Sequence, residues 1–161
     1  MVSPYLNPTR TSKDFEQALR VLIETDPDKE WVFICDGLNT HKSEELVRMV
    51  AEKCRITEDL GKKNFRGILK NKKTREEFLR DKSHRIRFVY TPRHCSWLNQ
   101  IEIWFSILSR KLLNRMSYKS VTALEESILR FIEQYNLTAH PFKWTYAGRT
   151  LVKELNLAAV G

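Results

Sequence analysis

The chain has 161 residues, 42% of them hydrophobic, enough for one domain with a real core and too apolar for a disordered segment. No apolar stretch approaches the roughly 20 residues that cross a bilayer, and the opening Met1-Val2-Ser3-Pro4-Tyr5 lacks the basic and apolar regions of a signal peptide. An excess of 28 Lys and Arg over 20 Asp and Glu gives a formal net charge of +8, which favours a polyanionic partner, nucleic acid first. Three widely spaced cysteines, Cys35, Cys54 and Cys95, fit the reduced thiols of a cytoplasmic protein rather than a disulfide framework.

The first eleven residues, with Pro4, Asn7 and Pro8, read as loop. Ser12 is a plausible N-cap, and Phe15, Leu19, Leu22 and Ile23 follow at helical spacing until Thr25-Asp26-Pro27, where the residue before proline is pushed out of the helical region. Trp31-Val32-Phe33-Ile34-Cys35 is an unbroken apolar run followed at once by Asp36. Such a run predicts a strand buried on both faces, most often in a parallel sheet, and ligands gather at the carboxyl ends of such strands. Gly37-Leu38-Asn39-Thr40-His41 reads as the loop beyond it. Ser43 then caps a helix with Leu46, Val47, Val50, Ala51 and Cys54 on one face. Helix, strand and helix in alternation predict an α/β layered domain.

Lys62, Lys63, Arg66, Lys70, Lys72, Lys73 and Arg75 then bring seven positive charges with no acid among them. Residues 57–85 predict a basic insertion between core elements, interrupted by Phe65 and Ile68-Leu69, with a short helix near 74–80. It is either a solvated surface loop or an arm that neutralises phosphates. Ile86-Arg87-Phe88-Val89-Tyr90 predicts a second strand, closed by Thr91-Pro92. Ser96 can cap a long helix with Ile101, Phe105, Leu108 and Leu112 as its buried stripe, while Asn99, Glu102, Ser106 and Ser109 fall on another face. If the two strands are parallel, Glu102 opens a helix at the same end of the sheet as Asp36. A last helix over 120–135 carries Leu124, Ile128, Ile132 and Tyr135 on its apolar face, with a capping box at Thr122-Ala123-Leu124-Glu125. The tail, 137–161, includes the aromatic and basic Pro141-Phe142-Lys143-Trp144-Thr145-Tyr146.

Two carboxylates at strand ends repel unless cations neutralise them. Oxygen ligands suit Mg²⁺ or Mn²⁺, and a pair of such ions roughly 3.5–4 Å apart clamps both oxygens of a phosphoryl transfer. Spacing alone leaves a second reading open, in which Asp36 caps its own loop and Glu102 is a surface residue. The segment from Phe33 to Lys42, read Phe33-Ile34-Cys35-Asp36-Gly37-Leu38-Asn39-Thr40-His41-Lys42, resembles the second acidic motif of the IS630 group of DDE transposases in the Tc1/mariner superfamily. Tyr90-Thr91-Pro92-Arg93-His94-Cys95-Ser96-Trp97-Leu98-Asn99-Gln100-Ile101-Glu102-Ile103-Trp104-Phe105 resembles the third, and 141–146 resembles that group's tail.

The resemblance implies an RNase H-like fold and metal-dependent DNA cleavage and strand transfer. It makes Asp36 the second acidic ligand and Glu102 the third, with His41 and Asn99 beside the site, aiding metal or DNA placement. Trp97, Ile101 and Trp104 are expected in packing roles. Gly37 departs from the family's usual asparagine, and the separation of the two acids (102 − 36 = 66) is long for the superfamily, a difference the basic insertion accounts for. The family's first aspartate lies on an earlier strand. Asp14 falls inside the first helix, and Asp26 and Asp28 in the turn after it, so none substitutes. The expectation is therefore a truncated domain, 1–161, lacking the first three strands. Its open sheet edge would call for an upstream transposase polypeptide or self-association to supply that aspartate. An inactive transposase remnant that binds DNA non-specifically is the alternative, and a basic α/β interaction module is a third reading.

Overall fold

The computed structural model describes residues 2–92 and 100–141. Among these run α1 (Ser12–Glu24), β1 (Trp31–Cys35), α2 (Glu44–Lys53), α3 (Lys72–Leu79), β2 (Ile86–Tyr90), α4 (Gln100–Lys111) and α5 (Val121–Leu137). Short 3₁₀ turns lie at Thr40–Lys42, Ile68–Lys70 and Leu113–Arg115. The arrangement is mixed α/β. The two strands pair in parallel, Trp31 opposite Ile86 through to Cys35 opposite Tyr90. Backbone bonds from Trp31 N–H to the Arg85 carbonyl (2.8 Å) and from Thr91 N–H to the Cys35 carbonyl (2.9 Å) extend the ladder at both ends. A parallel pair needs a long crossover, and α2 and α3 lie within it.

Side chains alternate across the sheet, so one face carries Trp31, Phe33, Ile86, Phe88 and Tyr90. Their rings form a row: Trp31 on Phe33 (5.8 Å), Phe33 on Phe88 (5.4 Å) and Phe88 on Tyr90 (6.3 Å). This face joins Leu19 and Ile23 of α1 and Leu46, Val47 and Val50 of α2 in the main core. The other face differs from the expectation of a strand buried on both sides. Val32, Ile34 and Val89 are exposed, Ile34 at 63%. The helices packed against the sheet bury only its aromatic face, so the apolar run of β1 is satisfied on one side among the described residues.

Local signals place the first two helices. The cap of α1 is Thr11, one residue before the predicted Ser12. Its hydroxyl accepts the Asp14 N–H while the Asp14 carboxylate accepts the Thr11 N–H, a reciprocal capping box. Asn7 and Thr9 donate to the same carboxylate, which falls below its ordinary pKa chiefly through the Thr9 bond. Asp14 thus has a structural task. Ser43 caps α2 as predicted, its hydroxyl accepting from Leu46 N–H. Arg20 of α1 forks onto Glu52 of α2 at 2.9 and 2.6 Å and also holds Glu16.

The basic stretch is more than a solvated loop. Leu69, Phe78 and Leu79 are buried in the main core, and the helix is Lys72–Leu79, starting two residues before the predicted range. Its entry is a tight loop in which Lys62 and Arg66 pair antiparallel. Gly61 and Gly67 have φ of +84° and +71°, and a Cβ on Gly61 would lie 2.1 Å from the Arg66 carbonyl oxygen, so two backbones meet where no side chain fits. Phe65 stays exposed at the loop tip. Three buried apolar side chains outweigh the flanking charge, because each large one contributes about 1.5–3 kcal/mol.

A second cluster joins Trp104 and Leu108 of α4 to Ile132 of α5, with Val2 and Tyr135 packed on it. Asn136 ties the amino-terminal segment down by accepting from Val2 N–H (2.7 Å) and donating to the Val2 carbonyl (2.8 Å). The predicted stripe on α4 is half right. Leu108 is buried, but Trp104 takes the inner position, and Ile101 and Phe105 are exposed. The predicted box at Thr122–Glu125 does not form either; Ser120 caps α5 by accepting from Ala123 N–H. Ser96, Trp97 and the tail from 142 lie outside the described residues.

Phe88 is 1% exposed at the centre of the aromatic row. Phe88→Ala is expected to lower unfolding free energy by about 3–5 kcal/mol, read by urea titration against the wild type.

Candidate active site

Asp36 is the first residue past β1, and the strand register puts Thr91 and Pro92 beside it where β2 ends. The carboxylate is held in place rather than free. Its Oδ1 accepts from Leu38 N–H at 3.0 Å, a turn that asparagine and aspartate form with the backbone two residues on. His41 Nδ1 lies 2.7 Å from the same oxygen. His41 is fixed in turn: the Phe15 ring lies 4.3 Å from its ring, and the Tyr90 hydroxyl donates to its carbonyl at 2.7 Å. The Tyr90 phenol is pushed above its ordinary pKa, first by burial and then by the neighbouring Cys35 and Glu76. It therefore stays a proton donor to that carbonyl. A Cβ on Gly37 would meet nothing within 4 Å, so packing does not exclude the asparagine usual at that position in the resembled group.

On one side of this loop a cleft of about 740 Å³ is lined by Asp36, Lys42, Lys72, Lys73, Glu76 and Arg80 among others. On the other, a cavity of about 800 Å³ is lined by Phe15, Leu38, Asn39, His41 and Phe105. Glu102 is exposed in the first turn of α4. Phe105 stands three residues on, on the same side of that helix, and lines the second cavity. The opening turns of α4 thus border the Asp36 loop. Asn99 lies outside the described residues.

The seven expected phosphate contacts separate. Lys72 and Lys73 line the Asp36 cleft. Arg75 does not reach out; its Nε donates to the Lys42 carbonyl (2.8 Å) and its Nη1 to the Leu69 carbonyl (3.1 Å). Buried acceptors claim it, because an unsatisfied buried carbonyl costs more than a surface contact returns. Arg66 pairs with Asp59 at 2.5 Å and Lys63 with Glu44 at 3.7 Å, both in the loop away from the cleft lining. Lys62 and Lys70 are exposed outside it.

Two cations of the cleft, Lys42 and Arg80, were outside the expected set, and Lys72, expected as a phosphate contact, is engaged with the loop. Lys42 is buried, with Nζ 2.7 Å from Glu76 Oε2 and 4.3 Å from the Tyr90 ring centre. Lys72 Nζ bonds the Gly37 carbonyl (3.2 Å) and Asn39 Oδ1 (2.7 Å). Arg80 joins the cleft from the end of α3. Lys42 and Tyr90 directly adjoin the residues that were singled out, and adjacency is the only signal the chain offered.

Asp36 and Glu102 are oxygen donors, the kind that hard divalent cations take. Among the described residues no three His, Cys, Asp or Glu side chains converge on one point. The donors fit in kind but fall short in number.

Against family models, residues 3–125 match DDE superfamily endonuclease. The match covers more than half of the chain and contains both Asp36 and Glu102, so the chain belongs to this family. Searches of curated proteins and of solved structures give no match.

Cys35 precedes Asp36, and burial, aided by the Asp36 charge, pushes its thiol up from 9.0 to about 12. Between those values the unfolded chain releases a proton that the folded chain keeps, so stability is present below pH 9 and lost as pH rises toward 12. Urea unfolding is expected to give about 1.4 kcal/mol less stability at pH 10 than at pH 8 from this group, a difference that Cys35→Ala removes.

Proposed function

We propose that the chain is the part of an IS630-type, Tc1/mariner-like transposase catalytic domain that carries the second and third acidic ligands. Its reaction is cleavage of a DNA phosphodiester by water, then strand transfer by attack of a DNA 3′ hydroxyl. The observation that carries the reading is Asp36 at the carboxyl end of a parallel strand, inside a family match that also spans Glu102. Asp36 and Glu102 would hold Mg²⁺ or Mn²⁺. Such an ion, when bound, would supply polarisation of a phosphoryl oxygen and activation of the nucleophile at neutral pH. The chain's own residues do the positioning. His41 and the Leu38 amide fix the Asp36 carboxylate, Tyr90 fixes His41, and Lys72 fixes the loop between them. Such pre-set geometry lowers the cost of reaching the transition state.

A further acidic ligand would come from an upstream transposase polypeptide or from self-association, within an RNase H-like fold. A second reading, an inactive remnant that binds DNA non-specifically, is favoured by the lack of a three-ligand cluster among the described residues.

Nicking of supercoiled plasmid in Mn²⁺ decides between them. On the first reading the chain, alone or with its partner polypeptide, nicks, and Asp36→Asn or Glu102→Gln each lowers the rate by at least roughly 100-fold, the loss of several kcal/mol of charge stabilisation. DNA retention with equal background nicking in wild type and both variants would establish the remnant.

A further inference from the structure

Helix α3 comes from the insertion, yet it forms one wall of the Asp36 cleft. Three separate ties hold it there. Lys42 Nζ bonds Glu76, Arg75 bonds the Lys42 carbonyl, and Lys72 bonds the loop at Gly37 and Asn39. Each joins α3 to residues 37–42 across more than thirty positions of chain. The cleft lining carries four cations, Lys42, Lys72, Lys73 and Arg80, against two carboxylates, Asp36 and Glu76. Lys42 already neutralises Glu76 at 2.7 Å. The partners of Lys72 are neutral oxygens, so its charge is not cancelled.

Lys73 and Arg80 are the outward cations. Their pairings inside the chain are long and solvent-exposed: Lys73 to Glu77 at 3.9 Å, and Arg80 to Glu76 at 3.5 Å. Pairs of this kind contribute little and exchange readily for a stronger anion. Seven residues apart, Lys73 on α3 and Arg80 at its C-cap stand on one side of the helix, about 10 Å apart along the axis. We propose that α3 is the phosphate-gripping wall of the site. Lys73 and Arg80 contact the DNA backbone, and Lys42, Lys72 and Arg75 are positioning residues that hold the wall against the loop. The inference rests on reading the Asp36 cleft as the place of phosphodiester chemistry. It excludes the Lys62–Arg66 loop from the main contact.

The test is equilibrium binding of a short duplex in EDTA, from about 50 to about 200 mM salt, where binding is read without cleavage. Each phosphate contact adds about 0.9 to the slope of log affinity against log salt, so Lys73→Gln with Arg80→Gln is expected to reduce the slope by about 1.5–2. Lys62→Gln with Lys63→Gln is expected to change it by less than about 0.5, half of one contact. All four side chains are exposed, and thermal unfolding of each double variant checks that the fold is kept. An unchanged slope in the Lys73/Arg80 variant, or an equal loss in the Lys62/Lys63 variant, overturns the assignment. If the wild type nicks DNA while the slope stays unchanged, only the assignment to α3 fails. If the wild type binds no DNA at low salt, the reading of the cleft fails with it.

Discussion

The parallel register of β1 and β2 is the constraint on which the rest depends. Pairing Cys35 with Tyr90 makes both strands leave the sheet at one end. The Asp36 loop and the Thr91-Pro92 exit then stand side by side, and Tyr90 can reach across to the His41 carbonyl. A slip of one residue would turn Phe33 and Phe88 from the core to the open face, at a cost that the aromatic row makes prohibitive. The hydrophobic pattern therefore fixes where the carboxylate sits, although the carboxylate contributes nothing to that pattern.

Around Asp36 the structure favours rigidity over charge. The carboxylate accepts one backbone N–H and one imidazole nitrogen, and the imidazole is packed on Phe15. Positive charge is arranged one layer further out, on α3. The division follows from burial. Arg75 and Lys42, which are shielded from solvent, are committed to carbonyl, carboxylate and ring partners inside the chain, whereas Lys73 and Arg80 keep only weak surface pairs. On the proposed reading both properties are needed at once: carboxylates in fixed positions, and cations that can accept a polyanion as it arrives.

The insertion shows how far composition alone can mislead. Seven basic residues in a short stretch read as a solvated surface loop or a phosphate-contacting arm. Leu69, Phe78 and Leu79 nevertheless anchor it in the main core, and Gly61 and Gly67 close its loop backbone on backbone. The same stretch thus serves as core, wall and charged surface. These roles divide residue by residue, with the adjacent Lys72 and Lys73 parting between loop and solvent.

The sequence by itself determined what short-range physics controls. It placed a strand ending at Asp36, a second strand ending at Tyr90, the Ser43 cap, the face of α2 and the likeness of two acidic motifs, because each is written within a few adjacent residues. Only the tertiary structure decided which of the expected packing residues of α4 face inward: Trp104 and Leu108 are buried, Ile101 and Phe105 exposed. It also decided that β1 buries one face among the described residues, that Arg75 braces rather than binds, and that Lys42 and Lys72 bind α3 to the Asp36 loop. Those outcomes rest on partners 33 to 35 residues apart in the chain or on competition between side chains for one buried position. No local window contains both parties to such a contact, so the pattern of a single segment cannot encode it.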